Sequence, residues 1–358
     1  MRDRNIVVTA PGRLEIREEE VQPGPFRVRT LFSGISAGTE LSYVKGTNPA
    51  LHATYDPALG LFGAAPAEPW PVTRLGYMEV GRVEESRTPA VAEGTVVAMT
   101  YGHRTGWTGD PLRDRVVALP GDLDPILGIY AAHMGPICAN GLLHAAADLR
   151  GTDVRSLADG VAGRRVAVTG AGVVGLLTAL FAREHGAASV VVLDPTPQRR
   201  EVAAALGLQT LDPEADDPAV VLKTAWRHTA DDRGADVVFQ CRGQASALHL
   251  ALRLLRPQGT VVDLAFYQGG ADAVRLGEEF HHNGLGLRCA QIGRVPRGLA
   301  PTWDRERLSA ETVALLRSCG EAIRRHLISA VVPFDEAPAL LNDLAQRRRQ
   351  ELQAVIAC

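Results

Sequence analysis

Apolar positions in the first third of the chain come in short β-rich runs: Asn5-Ile-Val-Val-Thr9, Phe26-Arg-Val-Arg-Thr-Leu-Phe32 and Thr95-Val-Val-Ala-Met99. Glycines and prolines interrupt them at close intervals, which predicts an antiparallel β unit. From Arg164 the rhythm changes. Apolar runs at 165–169, 189–193, 236–241 and 259–264 alternate with helical stretches that begin near Val173 and Pro197. This alternation predicts a parallel, doubly wound sheet, so the fold class is α/β. Beyond residue 300, amphipathic periodicity predicts helices over 309–325 and 336–349. A last β-like run, Gln353-Ala-Val-Ile-Ala357, is expected to return to the first unit. The expected division is therefore 1–150 with 301–358, and 151–300.

The chain has 358 residues, 46% hydrophobic and 22% charged, enough for two units that each bury a core. A net charge of -3, with no basic run beyond Arg347-Arg348-Arg349, gives no footprint for nucleic acid. The longest apolar run, 166–182, is broken by Gly170, Gly172 and Gly175 and falls short of the ~20 residues of a membrane span. It reads as a buried strand and helix. The N-terminus lacks a charged-then-apolar leader pattern. The five cysteines, Cys138, Cys241, Cys289, Cys319 and Cys358, are odd in number and widely spaced. A reduced, cytoplasmic setting is expected, with no membrane partner.

Gly170-Ala-Gly172-Val173-Val174-Gly175 follows a predicted strand at once and opens a predicted helix. That context suits a dinucleotide: Gly170 for the tight turn, Gly172 for close backbone approach to a pyrophosphate, Gly175 for helix–strand packing. Asp194 stands 24 residues beyond Gly170, at the end of the next strand. A carboxylate there accepts hydrogen bonds from ribose hydroxyls and repels a 2′-phosphate, so the expected cofactor is NAD. Two readings compete: Asp194 as a helix-capping group ahead of Pro195-Thr196-Pro197, and Arg199 or Arg200 reaching a 2′-phosphate.

Four stretches carry a family resemblance: Ser33-Gly-Ile-Ser-Ala-Gly-Thr-Glu40, Leu75-Gly-Tyr-Met-Glu-Val-Gly81, Arg233-Gly-Ala-Asp-Val-Val-Phe-Gln-Cys241 and Leu255-Arg-Pro-Gln-Gly259. Over nearly its whole length the chain resembles the medium-chain dehydrogenase/reductase superfamily, the zinc-type alcohol and polyol dehydrogenases. Its first two motifs are most similar to the branch of the bacteriochlorophyllide hydroxyethyl dehydrogenases. The resemblance implies a GroES-like antiparallel β catalytic domain beside a Rossmann domain, and a homodimer. Zinc members carry a cysteine after Gly-Ile in the first motif and Gly-His-Glu in the second. Here the matching positions are Ser36 and Gly76-Tyr77-Met78. Neutral hydroxyls are poor zinc ligands beside thiolate and imidazole. No cysteine lies between Met1 and Ile137, so the family's four-cysteine structural zinc site has no ligands. The expectation is an enzyme without zinc; a substitute metal site built from Glu40, Glu79, His133 or Cys138 is the alternative.

Without a Lewis acid, the reacting oxygen needs a positioned proton donor or acceptor. Tyr77 is the first candidate, with space-filling as its alternative. Ser36 could bond substrate or Tyr77, or simply pack. Glu40 and Glu79 could tune or relay a proton, or serve as solvated or capping groups. His133 either lines the cleft or is a buried, satisfied histidine. His103, on a glycine-flanked loop, is a further candidate for substrate contact. His281-His282 diverge on a helix and suggest packing or an interface. The expected activity is hydride transfer between NAD(H) and a secondary alcohol or ketone of a sugar-like, cyclitol or other cyclic small molecule. Reduction of an activated C=C bond is one alternative, and an inactive nicotinamide-binding sensor or structural protein is another. The polar set Ser36, Glu40 and Tyr77 argues against the last.

Overall fold

The computed structural model describes residues 2–63 and 70–358. The chain divides into two compact units, Met1–His133 with Ile328–Cys358, and Met134–Leu327.

In the first unit a seven-stranded sheet runs in the order Ile328–Pro333, Gln353–Ala357, Phe26–Gly34, Glu79–Ser86, Val96–Met99, Val117–Ala118, with Gly106–Gly109 also paired to Phe26–Gly34. All pairings are antiparallel except that of Ile328–Pro333 with Gln353–Ala357, which is parallel. The C-terminal strand thus returns to this unit as expected. Its Ile356 shares a buried cluster with Ile6, Val8, Ile35, Leu75 and Leu341. Residues from both ends of the chain therefore build one core.

The second unit holds six strands in the order Gln209–Leu211, Ser189–Leu193, Arg165–Thr169, Ala235–Gln240, Leu255–Asp263, Gly286–Cys289. Every pairing is parallel. In chain order this is 3-2-1-4-5-6, the Rossmann arrangement, which places ligand sites beyond the carboxyl ends of the strands. Helices cover both faces of such a sheet, so its strands carry continuous apolar runs such as Val166-Ala167-Val168, all fully buried.

Several expectations need correction. The unit boundaries fall at 133/134 and 327/328 instead of 150/151 and 300/301. The helices Met134–Arg150 and Arg305–His326 belong to the second unit, where they pack on each other and on Val173–Glu184. Gly135 makes this fit: a Cβ there would stand 2.7 Å from the Thr312 hydroxyl. Amphipathic periodicity identifies such helices but does not say which sheet they cover. The helix expected over 336–349 ends at Ala345, and Arg347 follows with a positive φ of 58°. The arginine triplet therefore lies beyond the helix, with Arg348 paired to Asp343 and Arg349 to Glu351. His281 and His282 are exposed, their rings edge-on at 5.5 Å, so packing does not account for them. Among the described residues no helix is long and apolar enough to cross a membrane.

Gly81 sits where two central strands of the first unit meet, and a Cβ there would stand 2.6 Å from the Arg29 carbonyl oxygen. Backbone in mid-sheet cannot move aside. Gly81→Ala should lower unfolding stability by about 1–3 kcal/mol, as overpacking does; an unchanged denaturant midpoint would show that the strands relax freely.

Candidate active site

Ser36 follows the strand Phe26–Gly34, and Glu40 opens the short helix Glu40–Lys45. Tyr77 precedes the strand Glu79–Ser86 and is preceded by Gly76, whose φ is 101°. A Cβ on Gly76 would stand 2.8 Å from His103 Cε1, so glycine is needed for both conformation and space. This geometry brings the Ser36 and Tyr77 hydroxyls into a hydrogen bond. The Tyr77 hydroxyl also donates to Thr39 Oγ1 at 3.4 Å, and its ring lies 4.5 Å from the His133 ring at 57°. Three expected site residues, Ser36, Tyr77 and His133, are therefore neighbours. Met78 is fully buried in the core.

Glu40 is neither solvated nor a simple cap. It is 1% exposed, accepts the Ser36 N–H at 2.9 Å through Oε1, and meets His103 Nε2 at 2.8 Å through Oε2. His103 is completely buried, which speaks against the direct substrate contact that its loop suggests. Its Nδ1 lies 2.7 Å from Ser33 Oγ, which donates to Glu79 Oε1 at 3.1 Å. Glu79 in turn accepts the Met78 and Tyr101 backbone N–H groups at 3.1 and 2.7 Å. Ser33 and His103 belong to this network, and only the glycine-flanked loop around His103 hinted at it in sequence.

Burial, then the Glu40 carboxylate, push the Tyr77 phenol up to about 12, against the pull of its bonds to Ser36 and Thr39. Near neutrality Tyr77 keeps its proton and is suited to donate it. Burial also raises Glu79. Burial works to lower His103, but the carboxylates of Glu40 and Glu79 outweigh it and raise its pKa.

A catalytic zinc of the kind the resemblance implies does not fit these donors. Zinc takes thiolate, neutral imidazole or carboxylate. The Ser36 and Tyr77 hydroxyls are bonded to each other, and that of Tyr77 holds its proton. Both oxygens of Glu40 and of Glu79 already accept hydrogen bonds within the network. In the second unit burial raises the Cys138 thiol to about 12, and it donates to the Met134 carbonyl at 3.4 Å. Among the described residues one cluster, His249, Glu278 and Glu279, has metal-ligand spacing. Its acids already meet Arg275 and Arg253, and it holds none of the expected site residues.

In the second unit the strand Arg165–Thr169 runs into Gly170 with φ 102°. Gly172 caps the helix Val173–Glu184 without a side-chain hydrogen bond, and a Cβ on it would meet nothing within 4 Å. The helix N–H groups at Val173 and Val174 therefore face an open side that suits a phosphate. A Cβ on Gly175 would collide with the Gly170 carbonyl, so Gly175 serves packing. Asp194, 1% exposed, accepts the Ala171 N–H through Oδ2 and the Thr196 N–H through Oδ1, both at 2.8 Å. Arg199 Nη1 lies 3.8 Å from Asp194 Oδ2, while Arg200 pairs with Asp212 at 2.7 Å. Beside the loop a cavity of about 590 Å³ is lined by Thr169, Gly170, Leu193, Pro195 and Arg242, among others. Arg242, absent from the expected set, follows the strand Ala235–Gln240 and forms no ion pair among the described residues. Its signal in sequence was its place just past the carboxyl end of a parallel strand.

Residues 173–292 match the family model described as zinc-binding dehydrogenase. That match covers 120 of the 358 residues, all within the second unit. Its similarity to D-guloside 3-dehydrogenase of Shigella flexneri is 26% identity over 94% of each chain. A dehydrogenase structure from Sinorhizobium meliloti bound to NADP covers 100% of both chains at 22% identity, with a TM-score of 0.74. A short chain alcohol dehydrogenase from Escherichia coli CFT073 complexed with NADH covers 100% of this chain and 99% of its own at 14% identity, with a TM-score of 0.72. The likeness of fold to these dehydrogenase structures thus extends over the whole chain, beyond the residues that match the family model.

An unpaired guanidinium in that cavity suits an anionic ligand. Arg242→Gln should weaken dinucleotide binding about tenfold, the effect of losing one charge-assisted hydrogen bond. Cofactor fluorescence titration measures it; an unchanged affinity would leave Arg242 outside the site.

Proposed function

We propose that this chain is an oxidoreductase that transfers hydride between NAD(H) and a secondary alcohol or ketone of a sugar-like or other cyclic substrate, without a catalytic zinc. The observation that carries the reading is the Ser36–Tyr77 hydroxyl pair at the zinc-ligand positions. The bound dinucleotide supplies or takes up the hydride. In the reductive direction Tyr77 Oη gives its proton to the carbonyl oxygen as that oxygen gains charge, and the Ser36 hydroxyl stabilises the phenolate left behind. In the oxidative direction the phenolate takes the alcohol proton, and Tyr77 returns to its neutral form. Serving as base first requires loss of a proton held at about 12, so oxidation is expected to quicken with rising pH.

Asp194 supports NAD over NADP. Its buried carboxylate ties the strand end to the glycine loop, where a 2′-phosphate would meet like charge; Arg199 is the opposing influence. The relative named D-guloside 3-dehydrogenase, spanning 94% of both chains, supports the sugar-like class. Five free cysteines suit a cytoplasmic setting. The strand Gly286–Cys289 at the sheet edge, with Leu287 exposed, supports a homodimer.

Tyr77→Phe removes one hydroxyl and keeps the ring. With NAD⁺ and a panel of glycosides, cyclitols and cyclic alcohols, turnover should fall at least about tenfold, the lower range for a lost acid or base, with dinucleotide affinity unchanged. The native rate of oxidation should climb between about pH 6 and 10 and that of the variant should not. A phenylalanine variant as fast as the native enzyme would reduce Tyr77 to space-filling. Turnover of enones alone would transfer the chain to C=C reduction, and dinucleotide binding without turnover would mark a sensor.

A further inference from the structure

Behind Ser36 and Tyr77 stand four buried groups that the proton-transfer reading leaves unused. Glu40, His103, Ser33 and Glu79 are each no more than 1% exposed. Their protons can be counted. Glu79 accepts a backbone N–H on each oxygen, which holds it as an acceptor, and the single Ser33 hydroxyl proton points to Glu79 Oε1. Ser33 Oγ must therefore accept from His103 Nδ1, so Nδ1 carries a proton. The 2.8 Å contact between His103 Nε2 and Glu40 Oε2 needs a single further proton. With a carboxylate on either side of the ring, Glu40 directly and Glu79 through Ser33, that proton resides on the imidazole. The row then holds an imidazolium between two carboxylates, a net charge of -1.

We propose, given the reading of Tyr77 as the proton donor, that Glu40 and His103 are positioning residues: their ion pair fixes the Ser36 backbone and so holds the Ser36 hydroxyl against Tyr77. Glu40 is the link, because one oxygen takes the Ser36 N–H while the other is anchored by His103. The titratable groups facing Tyr77 within its unit are Glu40 from the helix Glu40–Lys45, Glu79 from its own strand and His133 from the ring contact at 4.5 Å. Both acids oppose formation of the phenolate, and Glu40 does so more strongly than Glu79. The pair therefore acts twice on the same hydroxyl, through geometry and through charge.

Glu40→Gln keeps the shape and both contacts: its carbonyl oxygen accepts the Ser36 N–H, its amide donates to a now neutral Nε2. Glu40→Ala loses both. With ¹³Cζ-labelled tyrosine, the Tyr77 resonance, assigned by its loss in Tyr77→Phe, should titrate about one pH unit lower in Glu40→Gln than in the native protein. Native His103 should show two protonated ring nitrogens by ¹⁵N NMR at neutral pH. With a D-guloside as the probe alcohol, Glu40→Gln should retain kcat within about threefold and Glu40→Ala should lose at least about tenfold, with dinucleotide affinity kept in both. A neutral His103 ring in the native protein overturns the inference whether or not the variants fold, and so does an unmoved Tyr77 titration in Glu40→Gln. Failure of the underlying reading looks different: Tyr77→Phe would then turn over like the native enzyme, whatever Glu40 does.

Discussion

A carboxylate taken out of water must be met by donors or a counter-charge, and the described residues of the first unit include two buried ones, Glu40 and Glu79. Glu79 is satisfied by the N–H groups of Met78 and Tyr101 and by Ser33; Glu40 by the Ser36 N–H and His103. Breaking a buried charge pair costs several kcal/mol, because the remaining charge stays unpaired. The segments that carry these partners, 33–40, 76–79 and 101–103, are therefore held in register. Gly76 is part of the same constraint, since any side chain there would strike the His103 ring. The Ser36–Tyr77 pair is the outer face of this polar cluster.

In the proposed reaction each unit has its own part. The glycine loop, with an uncapped helix start and an open side at Gly172, suits phosphates, and Asp194 secures it by bonding Ala171. The first unit supplies a hydroxyl that keeps its proton near neutrality. A catalytic zinc would stabilise charge on a reacting oxygen with a cation; in the proposed reaction a neutral donor would do so, backed by fixed hydrogen bonds. Such a donor favours the reductive direction near neutral pH.

Much of this was legible in the residues. The parallel sheet, the glycine loop and the returning C-terminal strand follow from local periodicity and from glycines in context. The pairing of Ser36 with Tyr77 follows from their places in two motifs. The unit boundaries were not legible, because an amphipathic helix such as Arg305–His326 shows that it has a buried face and not what covers it. Nor was the direction of the Tyr77 shift, because the burial and the Glu40 and Glu79 carboxylates that raise it come together only in the fold. His103 suggested a substrate contact from its loop, but only the fold shows it enclosed between two acids that lie far from it in sequence. Asp194 stands at the strand end and accepts the Thr196 N–H just ahead of the helix Pro197–Ala205.

The central claim is that hydroxyls and hydrogen bonds have replaced a metal, and metal content tested together with turnover addresses it most directly. Protein purified without chelator should contain far less than one zinc per chain by elemental analysis, and its rate of oxidation should be the same before and after prolonged dialysis against a strong chelator. About one tightly held zinc per chain, with activity lost on its removal and restored on its return, would contradict the account.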